Sequence, residues 1–471
     1  MTKPDYDLAV IGAGSGGLTV AAAAAQFGQR VVLFEKGLMG GDCLNYGCVP
    51  SKALLAAAKQ AHAMRSGERF GIAPQEPQVD FAKVNAHVRR AIAAIAPNDS
   101  QERFEKLGVK VVRAAARFGD PLTIEAEGKN YTARRLVIAT GSRALAPPIP
   151  GLEDVPYFTN ENLFENQMLP RHLLIIGGGP IGMEMAQAHR RLGSEVTVIE
   201  AFEPLAKDDP ELTAIVLERL KAEGVRILAR AAIERVSKTG DGMTIETRDH
   251  GAIHGSHLLV AAGRQPNIEE LNLQAAGIAF TKKGITVDVG LKTSNHKVYA
   301  IGDVAGGLQF THVAGYHAGL VIRNALFGLP VKAGAVIPWV TYTDPELAQV
   351  GLTEAQARER HGGGIKVLRW PFHDNDRAQA EGYSEGLVKV VIGARGKILG
   401  AAIAGPQAGE LIHTWVHALS RGLGIGAMVS PVLPYPTRGE ASRRAAITYY
   451  ADYATNTWVR RAIRMVSALR P

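Results

Sequence analysis

One arrangement occurs twice in this chain and leaves little freedom about its fold. The apolar run Leu8-Ala-Val-Ile11 leads into Gly12, Gly14 and Gly17, and Leu173-Leu-Ile-Ile176 leads into Gly177, Gly179 and Gly182. The matched glycines keep one constant offset of 165 residues, from Gly12 and Gly177 to Gly17 and Gly182. Each copy continues through a helix-like segment to a further glycine, Gly28 or Gly193. A β-branched run follows, Val31 to Phe34 or Val196 to Ile199, and ends on a glutamate, Glu35 or Glu200. In such a unit the first glycine permits the tight strand-to-helix turn, the second lets the backbone approach a pyrophosphate, and the third lets helix pack on strand. The helix N-terminus then faces the phosphates. The glutamate accepts from ribose hydroxyls and repels a 2′-phosphate, so Glu200 favours NADH over NADPH in the second copy. A lone glycine motif is a weak signal, but two in the same order at one offset predict an α/β chain with two doubly wound, Rossmann-like nucleotide-binding domains.

With 471 residues the chain is also too long for a single hydrophobic core. No apolar run is long enough to span a bilayer, and the first one runs straight into glycines, which argues against a cleaved signal peptide. Only two cysteines occur. That excludes a multi-bridge secreted scaffold and makes a cytoplasmic protein with one special cysteine pair the expectation. The formal charge of +8 is spread too thinly to predict a nucleic-acid partner.

Those two cysteines stand in Gly40-Gly-Asp-Cys43-Leu-Asn-Tyr-Gly-Cys48-Val-Pro-Ser-Lys52, just after the first nucleotide unit and before an Ala- and Leu-rich helical stretch. A C-x4-C pair alone is read as a structural thiol pair or as half of a metal site. Here no further cysteine exists to complete a Cys-rich metal site, and a helix start lowers thiol pKa, so thiolate chemistry is the expected use. Lys52 follows Cys48 by one helical turn and shares its face.

The segment resembles the active-site stretch G-G-x-C-x-N-x-G-C-x-P-S-K of class I pyridine nucleotide-disulfide oxidoreductases, the family of mercuric reductase, dihydrolipoamide dehydrogenase and glutathione reductase. The resemblance runs nearly the whole chain. Leu136-Val-Ile-Ala-Thr140-Gly141-Ser142 looks like the family's crossover strand, Leu258 to Asn267, which includes Gly263, like its return strand, and Thr293 to Asp303 like its second flavin motif. It implies an FAD domain from residues 1–150 and 265–335, an NAD domain from 151–264, and an α+β dimerisation domain from 336–471 that pairs the chain as a homodimer. It further implies a redox-active disulfide between Cys43 and Cys48, with Cys48 on the flavin side and Cys43 as the interchange thiol. Lys52 is expected to pair with Glu184, and Asp303 to bind the ribityl chain. The implied activity passes electrons from NADH to FAD to the disulfide and on to a small-molecule or metal-thiol acceptor.

One departure bears on that acceptor. Where dihydrolipoamide dehydrogenases and glutathione reductases carry H-P-T-x-S-E, this chain reads Tyr435-Pro-Thr-Arg-Gly-Glu440. A phenol with a pKa of about 10 is a poor general base at neutral pH, whereas mercuric reductases carry tyrosine here. They also commonly carry a C-terminal cysteine pair and an additional N-terminal domain, both absent from this sequence. Read structurally, the Tyr435 hydroxyl caps Glu440 or a backbone group. Mercuric-reductase-like reduction of metal or disulfide is the first expectation. Dihydrolipoamide-dehydrogenase-like dithiol oxidation is the alternative, and a flavin redox sensor or docking subunit without turnover is the rival from another class. His312, His317, His373 and His413 form no metal motif, and no metal site is expected.

The tail carries Arg443, Arg444, Arg460, Arg461, Arg464 and Arg470 interleaved with Trp458, Val459, Ile463, Met465 and Val466. It is read as a solvated terminal helix packed on its own dimer, with an amphipathic helix on a membrane surface as the alternative.

Overall fold

Continuous apolar runs, rather than alternating ones, build the first sheet, as expected of parallel strands covered on both faces. In the computed structural model, which describes residues 3–240 and 242–469, Tyr6–Ile11 lies between Val31–Phe34 and Lys129–Ile138. Val109–Val112 extends one side, Val298–Ala300 pairs with Lys129–Ile138 on the other, and all these pairings are parallel. Lys129–Ile138 is long enough to pair antiparallel at its start, closing the sheet through Thr123–Ala126 and Arg117–Asp120. Cores pack on both faces. Leu33, Val137, Tyr299 and Val321 lie in one, Phe34, Phe118, Ile124 and Leu136 in the other.

The second copy of the repeat forms a four-stranded parallel sheet in the order Arg226–Leu228, Glu195–Ile199, His172–Ile176, His257–Val260. A three-stranded antiparallel sheet, Ile233–Thr239, Gly242–Thr247 and Gly251–Gly255, shares its apolar cluster. The stretch expected as one return strand is interrupted. His257–Val260 ends the parallel sheet, Gly263 turns the chain at φ +138°, and Arg264–Pro266 pairs instead with Ser142–Ala144. Only glycine holds that backbone conformation without strain.

These sheets belong to one compact unit, made of Met1–Ser66, Pro74–Pro204 and Val225–Gly334; the other unit comprises Gly67–Ala73, Leu205–Gly224 and Ala335–Pro471. At the centre of the second unit is a five-stranded antiparallel sheet in the order Trp339–Thr341, Glu346–Gly351, Ile398–Gly405, Leu387–Ile392, Lys366–Pro371. Trp415 and Phe372 are fully buried in the same apolar cluster as Ile403 of the sheet. Lys389 is buried too, its ammonium 2.9 Å from Asp209, 2.8 Å from Glu211 and 2.9 Å from Glu354. Burial opposes that charge, but the three carboxylates outweigh it and raise its pKa. Among the described residues no helix is long and apolar enough to cross a membrane. Arg470 lies outside the described residues.

Candidate functional site

The first and third glycines of the repeat meet matching neighbours within the first unit. A Cβ on Gly12 would stand 2.4 Å from the Ala139 carbonyl oxygen, and one on Gly177 would stand 2.4 Å from that of Ala261. A Cβ on Gly17 would meet the Gly12 carbonyl at 1.9 Å, and one on Gly182 the Gly177 carbonyl at 2.0 Å. The middle glycines differ. Gly179 faces open space, and Gly14 has only the Cα of Gly41 at 4.0 Å. Both motifs lead into helices, Ser15–Gln26 and Pro180–Leu192, whose N-caps Gly14 and Gly179 carry no side-chain hydrogen bond. Side chains do cap the helices that start after Asp80, Asp209 and Asn456. The first-turn N–H groups after the glycine motifs are thus left for another acceptor, which suits a pyrophosphate.

The two acids at the strand ends also match. Glu35 Oε2 accepts from the Ala13 N–H at 2.7 Å and Oε1 from Gly37 at 2.6 Å. Glu200 Oε2 accepts from Gly178 at 2.5 Å and Oε1 from Phe202 at 2.8 Å. Each carboxylate is thereby held at the lip of its own glycine turn.

Two short segments place the cysteines. Cys43 sits in the helical turn Gly41–Asn45, and Cys48 is the first residue of the helix Cys48–Arg65. The glycine pair before Cys43 is a steric requirement: Gly41 has φ +61°, and a Cβ there would come within 2.7 Å of the Gly14 Cα. Cys48 is exposed, Cys43 half-buried, and both thiols are free and hydrogen-bonded to each other. The pair is asymmetric. The hydrogen bond from Cys43, with further help from Thr311 and Lys52, lowers the pKa of Cys48 to about 6, although the protein packed around the sulfur on its inner side opposes the charge. The same sulfur-sulfur hydrogen bond, together with burial, pushes Cys43 far above the ordinary thiol range. The two sulfurs of the reduced pair thus share a proton, and the helix start, Thr311 and Lys52 favour the anion on Cys48.

One turn beyond Cys48, the Lys52 ammonium lies 2.8 Å from the carboxylate of Glu184, a buried residue of the helix Pro180–Leu192. Asp303 accepts from the Ser142 hydroxyl at 2.5 Å, and Arg264 donates to the same hydroxyl oxygen at 2.8 Å. Arg264 also stands 3.2 Å from Asp42, the neighbour of Cys43, and Asn160 donates to that carboxylate at 2.8 Å. Burial raises the Asp303 pKa against these donors. Thr140 and Asn267 bond reciprocally, hydroxyl to carbonyl at 2.8 Å and amide to carbonyl at 2.9 Å, beside Gly141 at φ +67°.

In the second unit Tyr435 is exposed, and its hydroxyl donates to Asp376 at 2.6 Å. Glu440 pairs instead with Arg444 at 3.1 Å, one turn along its own helix. The expected cap on Glu440 or the backbone is thus corrected: the phenol is held by Asp376, the first residue of the short helix Asp376–Ala380. That hydrogen bond raises the Tyr435 pKa and keeps the phenol protonated near neutrality. Among the described residues no group of three or more His, Cys, Asp or Glu side chains is arranged to hold a metal ion.

Thr311, Arg264, Asp42 and Asn160 were not singled out from the sequence. Thr311 follows the second flavin motif and Arg264 lies in the return strand, so position alone pointed near them, but nothing linear joined them to the cysteines.

Comparison with known proteins gives a consistent picture. Residues 6–318 match the family described as pyridine nucleotide-disulphide oxidoreductase, and residues 337–446 match its dimerisation domain. A mercuric reductase of Bacillus cereus is 36% identical over 455 residues, covering 95% of this chain and 72% of that protein. A dihydrolipoyl dehydrogenase of Thermus scotoductus is 38% identical over 452 residues, covering 94% of this chain and 96% of that protein. Among solved structures, the Cu(II) complex of the HOCl-induced flavoprotein disulfide reductase RclA from Escherichia coli superposes with a TM-score of 0.85 at 28% identity, covering 93% of this chain and 99% of that one.

Proposed function

The chain belongs to the pyridine nucleotide-disulphide oxidoreductase family, and from that premise we propose that it delivers electrons through Cys43 and Cys48 to a thiol-bound soft metal ion. It is an FAD-dependent, NAD(P)H-dependent enzyme of that family. FAD, when bound, supplies the two-electron relay between a reduced nicotinamide and the cysteine pair. We assign it to the domain at 1–150 and 265–335, with Gly12, Gly14, Gly17, Glu35, Thr140, Gly141 and Asp303 as its holding residues. The nicotinamide cofactor is assigned to 151–264, with Gly177, Gly179, Gly182, Glu200 and Gly263, and 336–471 is the part that pairs two copies as a homodimer. The Glu200 carboxylate at the lip of the second glycine turn supports NADH over NADPH, because a 2′-phosphate would meet a fixed negative charge there.

The observation that carries the reading is the placement of Cys48, which opens the helix Cys48–Arg65 with Thr311 Oγ1 3.3 Å from its sulfur and Lys52 one turn on, so that the anion of the pair is favoured there. Cys48 as thiolate takes the flavin side of the pair, with the Lys52 ammonium beside it to balance charge. Cys43, which holds its proton, takes the acceptor side. To attack a disulfide, Cys43 first needs a base, and a protonated Tyr435 is unsuited to that task. A soft metal ion needs none, since binding to sulfur displaces the thiol proton directly. Reduction of a thiol-bound Hg(II) then takes two electrons from the dithiol, closing the Cys43–Cys48 disulfide, releasing the carrier thiolates and leaving the neutral metal. The mercuric reductase relatives, and the Cu(II) complex formed by RclA, support this class of acceptor. The 38% identity to a dihydrolipoyl dehydrogenase supports dithiol oxidation as the second reading.

A steady-state screen of the FAD-loaded protein with NADH decides between them, using Hg(II) in excess thiol, lipoamide, glutathione disulfide, a quinone and oxygen as acceptors. The proposal expects the highest kcat/KM with Hg(II). A higher value with lipoamide or glutathione disulfide would overturn it, and flavin reduction without turnover of any acceptor would favour the sensor.

A further inference from the structure

The match to the family's dimerisation domain ends at residue 446, and the chain then adds a helix that its own unit leaves uncovered. Thr457–Ala468 spans 12 residues, is capped by the Asn456 side chain and buries none of them. Its polarity is divided lengthwise. At 100° per residue, Trp458, Ala462, Ile463, Val466 and Leu469 fall on one arc, and Arg460, Arg461 and Arg464 fall on the opposite one. Trp458, Ile463, Val466 and Leu469 are 74%, 59%, 52% and 82% exposed. Tyr450 and Tyr453, also exposed, precede the helix with their rings 6.0 Å apart.

We propose that this helix docks the enzyme on an anionic lipid surface, lying in the plane of the headgroups with its apolar arc in the acyl boundary. Charge decides between this occupant and a second copy of the chain. From Tyr453 to Leu469 there are three arginines and no carboxylate; the last acid, Asp452, is engaged by Lys366 at 2.6 Å. A second copy of this helix brings three more arginines and no carboxylate of its own, so covering the apolar arc with it leaves the basic face unanswered. An anionic bilayer satisfies both faces at once, with arginines in the phosphate layer and an amphipathic tryptophan at the water-lipid boundary. At about 18 Å the helix is too short to cross and long enough to lie flat. This inference does not depend on which acceptor the cysteines serve.

Vesicle flotation of the full-length, FAD-loaded protein tests it, with phosphatidylcholine alone and with phosphatidylcholine containing phosphatidylglycerol. Binding is expected to the second composition, to be negligible on the first, and to fall as salt is raised. Ile463→Glu with Val466→Glu should lower it at least tenfold, and Arg460→Gln, Arg461→Gln and Arg464→Gln by about fivefold for each charge removed. Both variants should keep wild-type NADH oxidation and sedimentation velocity, because the helix is exposed. Equal binding to both compositions, binding to neither, or unchanged binding by the Ile463→Glu, Val466→Glu variant would overturn the proposal. So would a shift of that variant to half the wild-type mass, which would assign the arc to a second copy.

Discussion

Thr311 Oγ1 lies 3.3 Å from the sulfur of Cys48, and each of the two residues opens a helix whose N-cap, Phe310 or Gly47, offers no side-chain oxygen. The thiolate of Cys48 therefore sits at two positive helix ends and beside a hydroxyl donor, an arrangement that favours the anion over the thiol.

Removing the hydroxyl isolates its share. Thr311→Val should raise the apparent pKa of Cys48 from about 6 by roughly one unit or more, the usual worth of a hydrogen bond to an anion. The pH dependence of iodoacetamide alkylation in the reduced protein reads this directly, and an unmoved profile would mean that Thr311 is only a neighbour.

The Lys52–Glu184 pair joins the cysteine helix to the second glycine unit. Lys52→Met removes a positive charge one turn from the thiolate and should lower kcat by roughly a hundredfold while leaving the KM for NADH within a few-fold. A change in KM alone would reassign the lysine to nucleotide binding.

Because Tyr435 stays protonated against Asp376, installing an ordinary base in its place should change the acceptor profile. Tyr435→His is expected to raise lipoamide turnover by about tenfold or more near neutral pH. Equal lipoamide rates in both proteins would show that this position does not limit dithiol chemistry.

Glu200 accepts from Gly178 and Phe202, so its charge is fixed rather than mobile. Glu200→Ala should raise kcat/KM for NADPH by about tenfold through loss of repulsion, with a smaller loss for NADH. An unaltered ratio would separate this carboxylate from cofactor choice.

In the second unit Lys389 holds three carboxylates together. Lys389→Met should cost about 3–5 kcal/mol in urea unfolding at neutral pH, since the acids lose their buried counter-charge. Glu354, held at about 2 chiefly by Lys389, has a folded pKa below its ordinary value. Its stabilising contribution is thus present above the ordinary carboxylate range and lost as pH falls toward 2. The deficit of the variant should accordingly shrink in acid.

What the sequence disclosed was whatever lies close along the chain. The glycine turns, the strand-end acids and the helical-turn spacing of Cys48 and Lys52 are short-range, and backbone geometry translates them almost directly into space. Thr311 stands 263 residues from Cys48, so only tertiary folding makes them neighbours. The same is true of Arg264 beside Asp42, of Asp376 beneath Tyr435, and of Lys389 with acids drawn from distant segments. The interruption at Gly263 was hidden for a different reason: apolar strand residues run up to it, and a single positive φ redirects the chain.

The central claim is that electrons leave through the cysteine pair, and Cys43→Ser tests it most directly. In rapid mixing with NADH, flavin bleaching should proceed at the wild-type rate, while steady-state reduction of the best acceptor falls by more than about a hundredfold. Wild-type acceptor turnover by Cys43→Ser would contradict the account.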